Sequence, residues 1–316
     1  MEYQMLVEQF LWVEKYRPSK IADTILPEDL KKTFQQFVDQ QNIPNLILSG
    51  SAGVGKTTVA RAMLEELGCD YIVINGSLNG DIDTLRYEIQ GFASSVSFVG
   101  GRKYVILDEA DYLTSKTQPA LRNFMEEYAK NCGFILTCNY KNKIIEPLHS
   151  RCSVVDFKIS KKDTPKLASQ FFKRVIKILD DESVKYDKAS VAEIVQLYFP
   201  DSRKILNELQ RYAATGEINS GILASIKGVD FSELIDMMKQ KKFTDMRKWV
   251  GINVDFSAHD LYRKFYDEAY SIVKNDSVPA LVILIGKYQY QASFVADPEI
   301  NFMAFLVEML VECDML

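Results

Sequence analysis

The stretch Gly50-Ser51-Ala52-Gly53-Val54-Gly55-Lys56-Thr57 constrains this chain more than any other. It follows the short apolar run Leu46-Ile47-Leu48 and precedes Val59, Ala60, Met63, Leu64 and Leu67, which recur at helical spacing until Gly68 stops them. A strand, a glycine-rich loop and a helix in that order form a phosphate cradle. Glycines let successive backbone N–H groups converge on an anion, and the helix N-terminus adds positive potential. Lys56 is placed to reach the β- and γ-phosphates of a nucleotide, and Thr57 to set its hydroxyl on Mg²⁺.

Around this loop the pattern is that of an α/β domain. Tyr71–Ile74, Tyr104–Leu107, Phe134–Thr137 and Val154–Phe157 are further strand candidates, alternating with helical stretches such as Gln118–Tyr128. Runs apolar on both faces predict a parallel sheet of five strands covered by helices. Pro119 suits the start of its helix, where a missing N–H costs nothing. In Tyr104-Val105-Ile106-Leu107-Asp108-Glu109-Ala110-Asp111, four apolar residues run into carboxylates. Asp108, at a strand end, is placed to hold Mg²⁺ mostly through water, and Glu109 to orient and deprotonate an attacking water. Asn139 ends the fourth strand candidate, where its amide fits either a contact to water or phosphate or an ordinary turn.

Composition excludes several other classes. The 316 residues suit two or three domains, and 47% apolar content can fill sizeable cores. A net charge of -5 gives no bulk electrostatic sign of a nucleic-acid partner, so any DNA contact needs a local basic surface. Five cysteines without a CxxC pair, and two histidines, argue against a zinc site and suit reduced thiols in a cytoplasmic setting. No apolar run approaches the roughly 18 residues of a membrane span, and no signal peptide is visible at the N-terminus.

Further segments carry a family resemblance. Val13-Glu14-Lys15-Tyr16-Arg17-Pro18 lies upstream of the loop, Ser150-Arg151-Cys152 precedes the fifth strand candidate, and Phe199-Pro200-Asp201-Ser202-Arg203-Lys204 opens a helix in the second half. With the motifs above, the chain resembles AAA+ clamp-loader ATPases of the replication-factor-C type, and most nearly the large subunit of the loaders of T-even-type bacteriophages. The resemblance is specific over residues 11 to 215 and rests beyond them on length and helical character.

That resemblance implies an AAA+ nucleotide domain over residues 1–158, a helical lid over 159–228 and an all-α collar over 229–316. It implies ATP and Mg²⁺ as cofactors. Val13, Glu14, Lys15 and Tyr16 match the segment that wraps the adenine, Ile25 an apolar contact to the base, and Gly53, Val54, Gly55, Lys56, Thr57 and Thr58 the phosphate cradle. Asp108 and Glu109 match the metal-holding and water-activating pair, Asn139 sensor 1, and Arg203 the lid arginine of sensor 2. Arg151 matches the arginine presented to ATP on the neighbouring subunit, although alone it reads as a surface arginine. Gln118 and Arg122, one helical turn apart, can touch each other and resemble residues that couple the ATP site to DNA; a solvated helix face fits equally. After Asn75-Gly76-Ser77, related phage subunits carry a basic residue that senses DNA. Here Leu78-Asn79-Gly80-Asp81 has no lysine, and Arg86 is the nearest basic side chain.

Past Ser160 the strand pattern stops. Leu167, Phe171, Val175, Ile178 and Leu179 predict one helix, and Val191–Phe199 and Lys204–Ala213 two more, with Pro165 and Pro200 at helix starts. Leu261, Phe265, Ala269 and Ile272 form an apolar stripe, as do Leu281, Leu284 and Tyr288, and Phe305, Met309 and Cys313. Core packing and a ring interface both fit these stripes and the aromatic residues Phe256, Tyr262, Phe265, Tyr266 and Tyr270. The expected function is that of an ATPase subunit of a sliding-clamp loader, with further copies of itself, a smaller loader subunit, the clamp and primer–template DNA as partners. Another AAA+ DNA-remodelling ATPase is the alternative, as is a non-catalytic scaffold subunit. Retention of Lys56, Thr57, Asp108, Glu109 and Arg151 argues against the scaffold.

Overall fold

The computed structural model describes residues 10–78, 82–97, 100–114, 116–214, 216–219, 231–253 and 258–316. Two compact units divide the chain at 223/224. That division, and the lid–collar boundary expected at 228/229, lie outside the described residues.

The first unit is built on five parallel strands: β1 (Leu46–Ser49), β2 (Tyr71–Asn75), β3 (Lys103–Asp108), β4 (Cys132–Cys138) and β5 (Ser153–Asp156). They lie in the order β2-β3-β4-β1-β5, so β1 sits between β4 and β5. Leu46 pairs with Ile135 and Ser153, which brings the C-terminal ends of β1, β3 and β4 to one edge. Successive side chains enter opposite cores. Ile47, Val105, Leu107, Phe134 and Leu136 pack on one face with Leu85, Ile89, Leu121 and Phe124. Leu46, Leu48, Ile106 and Ile135 pack on the other with Ile21, Phe34, Val59, Met63 and Leu64. This two-sided burial is why the strands read as continuous apolar runs.

The helices of this layer are α1 (Trp12–Lys15), α2 (Glu28–Asp39), α3 (Lys56–Leu67), α4 (Ile82–Ser94), α5 (Thr117–Glu127) and α6 (Glu146–His149). Helix α3 begins at Gly55, whose φ of 92° is open to glycine without strain, and ends at Gly68. After β5 come α7 (Thr164–Asp181), α8 (Lys188–Tyr198) and α9 (Ser202–Ala213). On their apolar faces Phe171, Val175, Ile194 and Leu209 are all buried.

Two expectations are corrected here. A two-stranded parallel sheet, β6 (Lys185–Tyr186) with β7 (Glu217–Ile218), lies where no strand was expected. Strands of two residues are too short to show a period. Pro165 does lie in the first turn of α7, but Pro200 precedes α9 rather than starting it. Asp201 is the N-cap, its carboxylate accepting from the Lys204 N–H.

The second unit is all helical: α10 (Phe231–Lys239), α11 (Phe243–Asn253), α12 (Ala258–Asp267), α13 (Ala269–Ile272), α14 (Val278–Ala292) and α15 (Pro298–Glu312). The three apolar stripes are core, with Leu261, Phe265, Ala269, Ile272, Leu281, Leu284, Tyr288, Phe305, Met309 and Cys313 all buried. Tyr262, Phe265, Phe302 and Phe305 meet edge to face, with centroids 5.2 to 6.0 Å apart. Buried Asn301 donates to the Tyr262 hydroxyl at 2.9 Å, satisfying both groups inside an apolar cluster. Tyr266 and Tyr270 are exposed, and Phe256 lies outside the described residues. Among the described residues no helix is long and apolar enough to cross a membrane.

Candidate active site

A cleft opens at the C-terminal edge of the sheet, between the loop after β1, the N-terminal segment and the α7–α9 helices. Lys56 opens α3 but is buried. Its ammonium donates to Gly50 O (2.8 Å), Ser51 O (2.8 Å) and Asn139 Oδ1 (2.9 Å). Three donors thus meet three oxygens at the place where phosphate oxygens would enter. Burial lowers the Lys56 pKa, and nearby Cys138, Asp108 and Asp111 act in the opposite direction.

Asp108 ends β3. One of its oxygens, Oδ1, accepts from the hydroxyls of Thr57 and Thr137, each at 2.6 Å. The Thr137 hydroxyl also accepts from the Glu109 N–H at 3.1 Å. Glu109 stands at φ 55°, a left-handed conformation uncommon for a residue with a Cβ. Thr57 and Asp108 offer hard oxygen donors on adjacent elements, a set that fits Mg²⁺ completed by water and phosphate. Among the described residues no group of three acidic, histidine or cysteine side chains could hold a metal by itself.

The lid side reaches the loop directly. Gly53 O accepts from the Ser202 hydroxyl at 2.6 Å and from its N–H at 3.2 Å. A Cβ on Gly53 would stand 1.8 Å from Asp201 Oδ1, so only glycine admits this approach. Arg203 lines the rim of the cleft.

Of the expected site residues, Val13, Tyr16, Ile25, Gly53, Val54, Gly55, Lys56, Thr57, Thr58, Asp108, Glu109, Asn139 and Arg203 line this cleft together. Glu14 and Lys15 do not line it. Glu14 pairs with Arg17, and Lys15 with Glu182, which also accepts from the Tyr16 hydroxyl at 2.7 Å. Arg151 is also away from this cleft. Its guanidinium rests on Glu126 and donates to Pro147 O at 3.0 Å.

Gln118 and Arg122 do not meet as expected. Gln118 is only 3% exposed. It clips three backbone groups, donating to Leu113 O and Lys143 O and accepting from the Ile145 N–H. Arg122 faces Glu126 instead, at 3.5 Å. Helical spacing gives proximity, but a buried amide must first satisfy its own groups. Arg86 is exposed and lies 3.7 Å from Asp83; Asn79, Gly80 and Asp81 lie outside the described residues.

Sequence reading missed Arg174, which lines the cleft from α7 and donates to Asp23 O beside Ile25. Burial lowers its pKa. A signal existed, since Arg174 interrupts the apolar face marked by Phe171, Val175 and Ile178. Glu182 and Thr137 were missed as well, and their partners lie too far along the chain for any local pattern to reveal.

Comparison with known proteins agrees with this architecture. Residues 46–160 match the family model of the ATPase family associated with various cellular activities (AAA). Residues 163–224 match that of the sliding-clamp-loader large subunit, AAA+ ATPase lid domain. The chain is 32% identical to the replication factor C small subunit of Archaeoglobus fulgidus, over 94% of this chain and 96% of the relative. It is 33% identical to the sliding-clamp-loader large subunit of Enterobacteria phage T4, over 95% of each. Among solved structures, a RuvB variant of Thermotoga maritima aligns with a TM-score of 0.53 at 14% identity, covering 82% of this chain and 93% of that one. At that identity the likeness concerns the fold alone.

Proposed function

The chain belongs to the clamp-loader family of AAA+ ATPases, and from that premise we propose that it hydrolyses ATP to drive the loading of a ring-shaped sliding clamp onto primer–template DNA. The observation carrying this reading is the convergence of Lys56, Thr57, Asp108, Glu109 and Asn139 on one cleft that the lid also reaches through Ser202 and Arg203. In this reading the loop N–H groups and Lys56 hold the phosphates, while Thr57 and Asp108 hold Mg²⁺, which when bound neutralises phosphate charge. Glu109 takes the proton of the attacking water, and Asn139 orients that water or the γ-phosphate. Bringing in the nucleotide exchanges the Lys56 contacts to Gly50 O and Ser51 O for phosphate oxygens, so binding reorders the loop. Val13, Tyr16 and Ile25 enclose the base.

The site is incomplete in one chain. Among the described residues Arg151 pairs with Glu126, Pro147 and Ser150 rather than with groups of its own cleft, which supports its delivery to ATP on a neighbouring subunit. A guanidinium supplied in that way is worth about 10³–10⁵ in rate in well-studied nucleotide hydrolases. Assembly has a surface available in the helical unit. Ile300, Val307 and Val311 of α15 are exposed at helical spacing beside a filled core. We assign this face to contacts with further copies or with a smaller loader subunit. The likeness to the phage T4 large subunit fits a phage-type loader, which would work in the host cytoplasm; archaeal small subunits are about equally similar. DNA contacts in this scheme are mostly to phosphates, hence tolerant of sequence and sensitive to salt.

The test is the ATPase rate of the assembled loader with clamp and primed DNA added separately and together. The reading expects the highest rate with both. A rate indifferent to both points to another AAA+ activity.

A further inference from the structure

We propose that Asp111 is a positioning residue for ATP hydrolysis, its carboxylate fixing Asn139, and through Asn139 the ammonium of Lys56, at the end of β4. The inference rests on the reading of the cleft as an ATPase site and adds a residue to it. Strand β4 ends at Cys138, so the N–H groups of Asn139 and Tyr140 lie past the sheet ladder and need another acceptor. Both donate to Asp111 Oδ2, each at 3.2 Å. Asn139 in turn offers its side-chain Oδ1 to Lys56 Nζ at 2.9 Å. One carboxylate oxygen therefore sets the backbone of the residue that touches the phosphate-binding lysine.

The placement follows from the strained turn beside it. Glu109 at φ 55° reverses the chain after β3, and the single turn Ala110–Tyr112 carries Asp111 back under the end of β4. Asp111 is 6% exposed, and its other oxygen, Oδ1, is buried with no hydrogen-bond partner among the described residues. A buried, half-satisfied carboxylate is unfavourable for folding, and such groups concentrate where a site needs them. Its charge also offsets part of the effect of burial on Lys56. Asp111 does not line the cleft, so its action is indirect.

The experiment measures kcat and KM for ATP in the assembled loader with clamp and primed DNA. Misplacement of a catalytic group by about 1 Å costs on the order of 10²-fold, so Asp111→Ala should lower kcat by about 10- to 100-fold with KM within about threefold. Asp111→Asn, which keeps one carbonyl acceptor for the two N–H groups, should recover most of that loss. In an Asn139→Ala background, Asp111→Ala should change kcat by less than about twofold, because the group it positions is gone. An Asp111→Ala protein that keeps wild-type kcat, or losses from the two substitutions that multiply, would overturn the inference. Should Asp111→Ala fail to fold, Asp111→Glu serves in its place. It keeps the charge but shifts the oxygens by one methylene, and unchanged kcat there would equally overturn the positioning role. If Asn139→Ala alone leaves kcat intact, the reading of the cleft fails instead.

Discussion

The described residues of the two units bury their interiors in different ways. In the first unit, Lys56, Asp111, Thr137 and Gln118 are all buried, each tied to strand ends or loops. In the second, Asn301 is the one buried side chain among the described residues that is neither apolar nor aromatic. In the first unit some of these desolvated groups, Lys56 and Thr137, line the cleft, Asp111 supports it from behind, and others, such as Gln118, pin loops away from it. The helical unit fills its core with aromatic edges and leaves Ile300, Val307 and Val311 exposed on α15. The residues of the proposed chemistry thus lie in the first unit, and the helical unit adds an exposed apolar face on α15.

The strongest way to break this division is at the loop. Lys56→Ala removes the ammonium and leaves Asn139 Oδ1 without its donor. ATP affinity should fall by about 10³-fold or more, since a charge-assisted contact in a desolvated site is lost together with its geometry. Equilibrium binding of a fluorescent ATP analogue measures it, and tight binding by the variant would remove the loop from the account. The same lysine gives a pH signature. Burial lowers its pKa below that of an ordinary lysine, so the cation that phosphate requires is lost at lower pH than for an exposed lysine. Affinity should therefore decline as pH rises toward that lowered pKa, and the decline should be absent in Lys56→Ala.

A substitution in the helical unit should act otherwise. Val311 is 77% exposed, so Val311→Lys should change the stability of the chain by no more than about 0.5 kcal/mol. If α15 packs against another subunit, the loss of an apolar contact worth about 1.5–3 kcal/mol should weaken assembly by roughly 10- to 150-fold. Sedimentation gives the assembly constant, and ATPase activity should return at high protein concentration. An activity loss that concentration does not restore would merge the two roles.

The smallest effect is expected at the junction of nucleotide and lid. Arg174 lines the cleft and holds Asp23 O, next to the Ile25 expected at the base. Arg174→Ala should raise KM for ATP by roughly 3- to 10-fold, the scale of one ordinary net hydrogen bond of about 0.5–1.5 kcal/mol, since its effect on the base is indirect, with kcat nearly unchanged. A change confined to kcat would place Arg174 with the reacting groups rather than with binding.

Much of the first unit was legible because two local periods and one glycine pattern determine it. Strands apolar on both faces announce a covered parallel sheet, and the glycine spacing before Lys56-Thr57 permits little else. What escaped depends on contacts distant in sequence or on backbone conformation. The Ser202 hydroxyl meets Gly53 O across 149 residues, and Lys15 meets Glu182 across 167. No window of sequence contains both partners. Gln118 was misread because helical spacing reports which residues are neighbours but not which backbone groups a loop leaves unsatisfied. Asp111 stood beside recognised carboxylates, yet its direction depends on the left-handed turn at Glu109, which nothing in the residue type announces. In the second unit the stripes were legible as apolar faces, and three-dimensional packing was needed to separate the buried ones from those left exposed.

The central claim is that an active site formed by Lys56 of one chain is completed by Arg151 of the next. Mixing two inactive variants, Lys56→Ala and Arg151→Ala, tests it most directly. Where an Arg151→Ala chain binds ATP beside a Lys56→Ala neighbour, both required groups meet, so the mixture should hydrolyse ATP well above the sum of its separated components. A mixture no more active than that sum would mean that Arg151 serves its own cleft or none, and would contradict the claim.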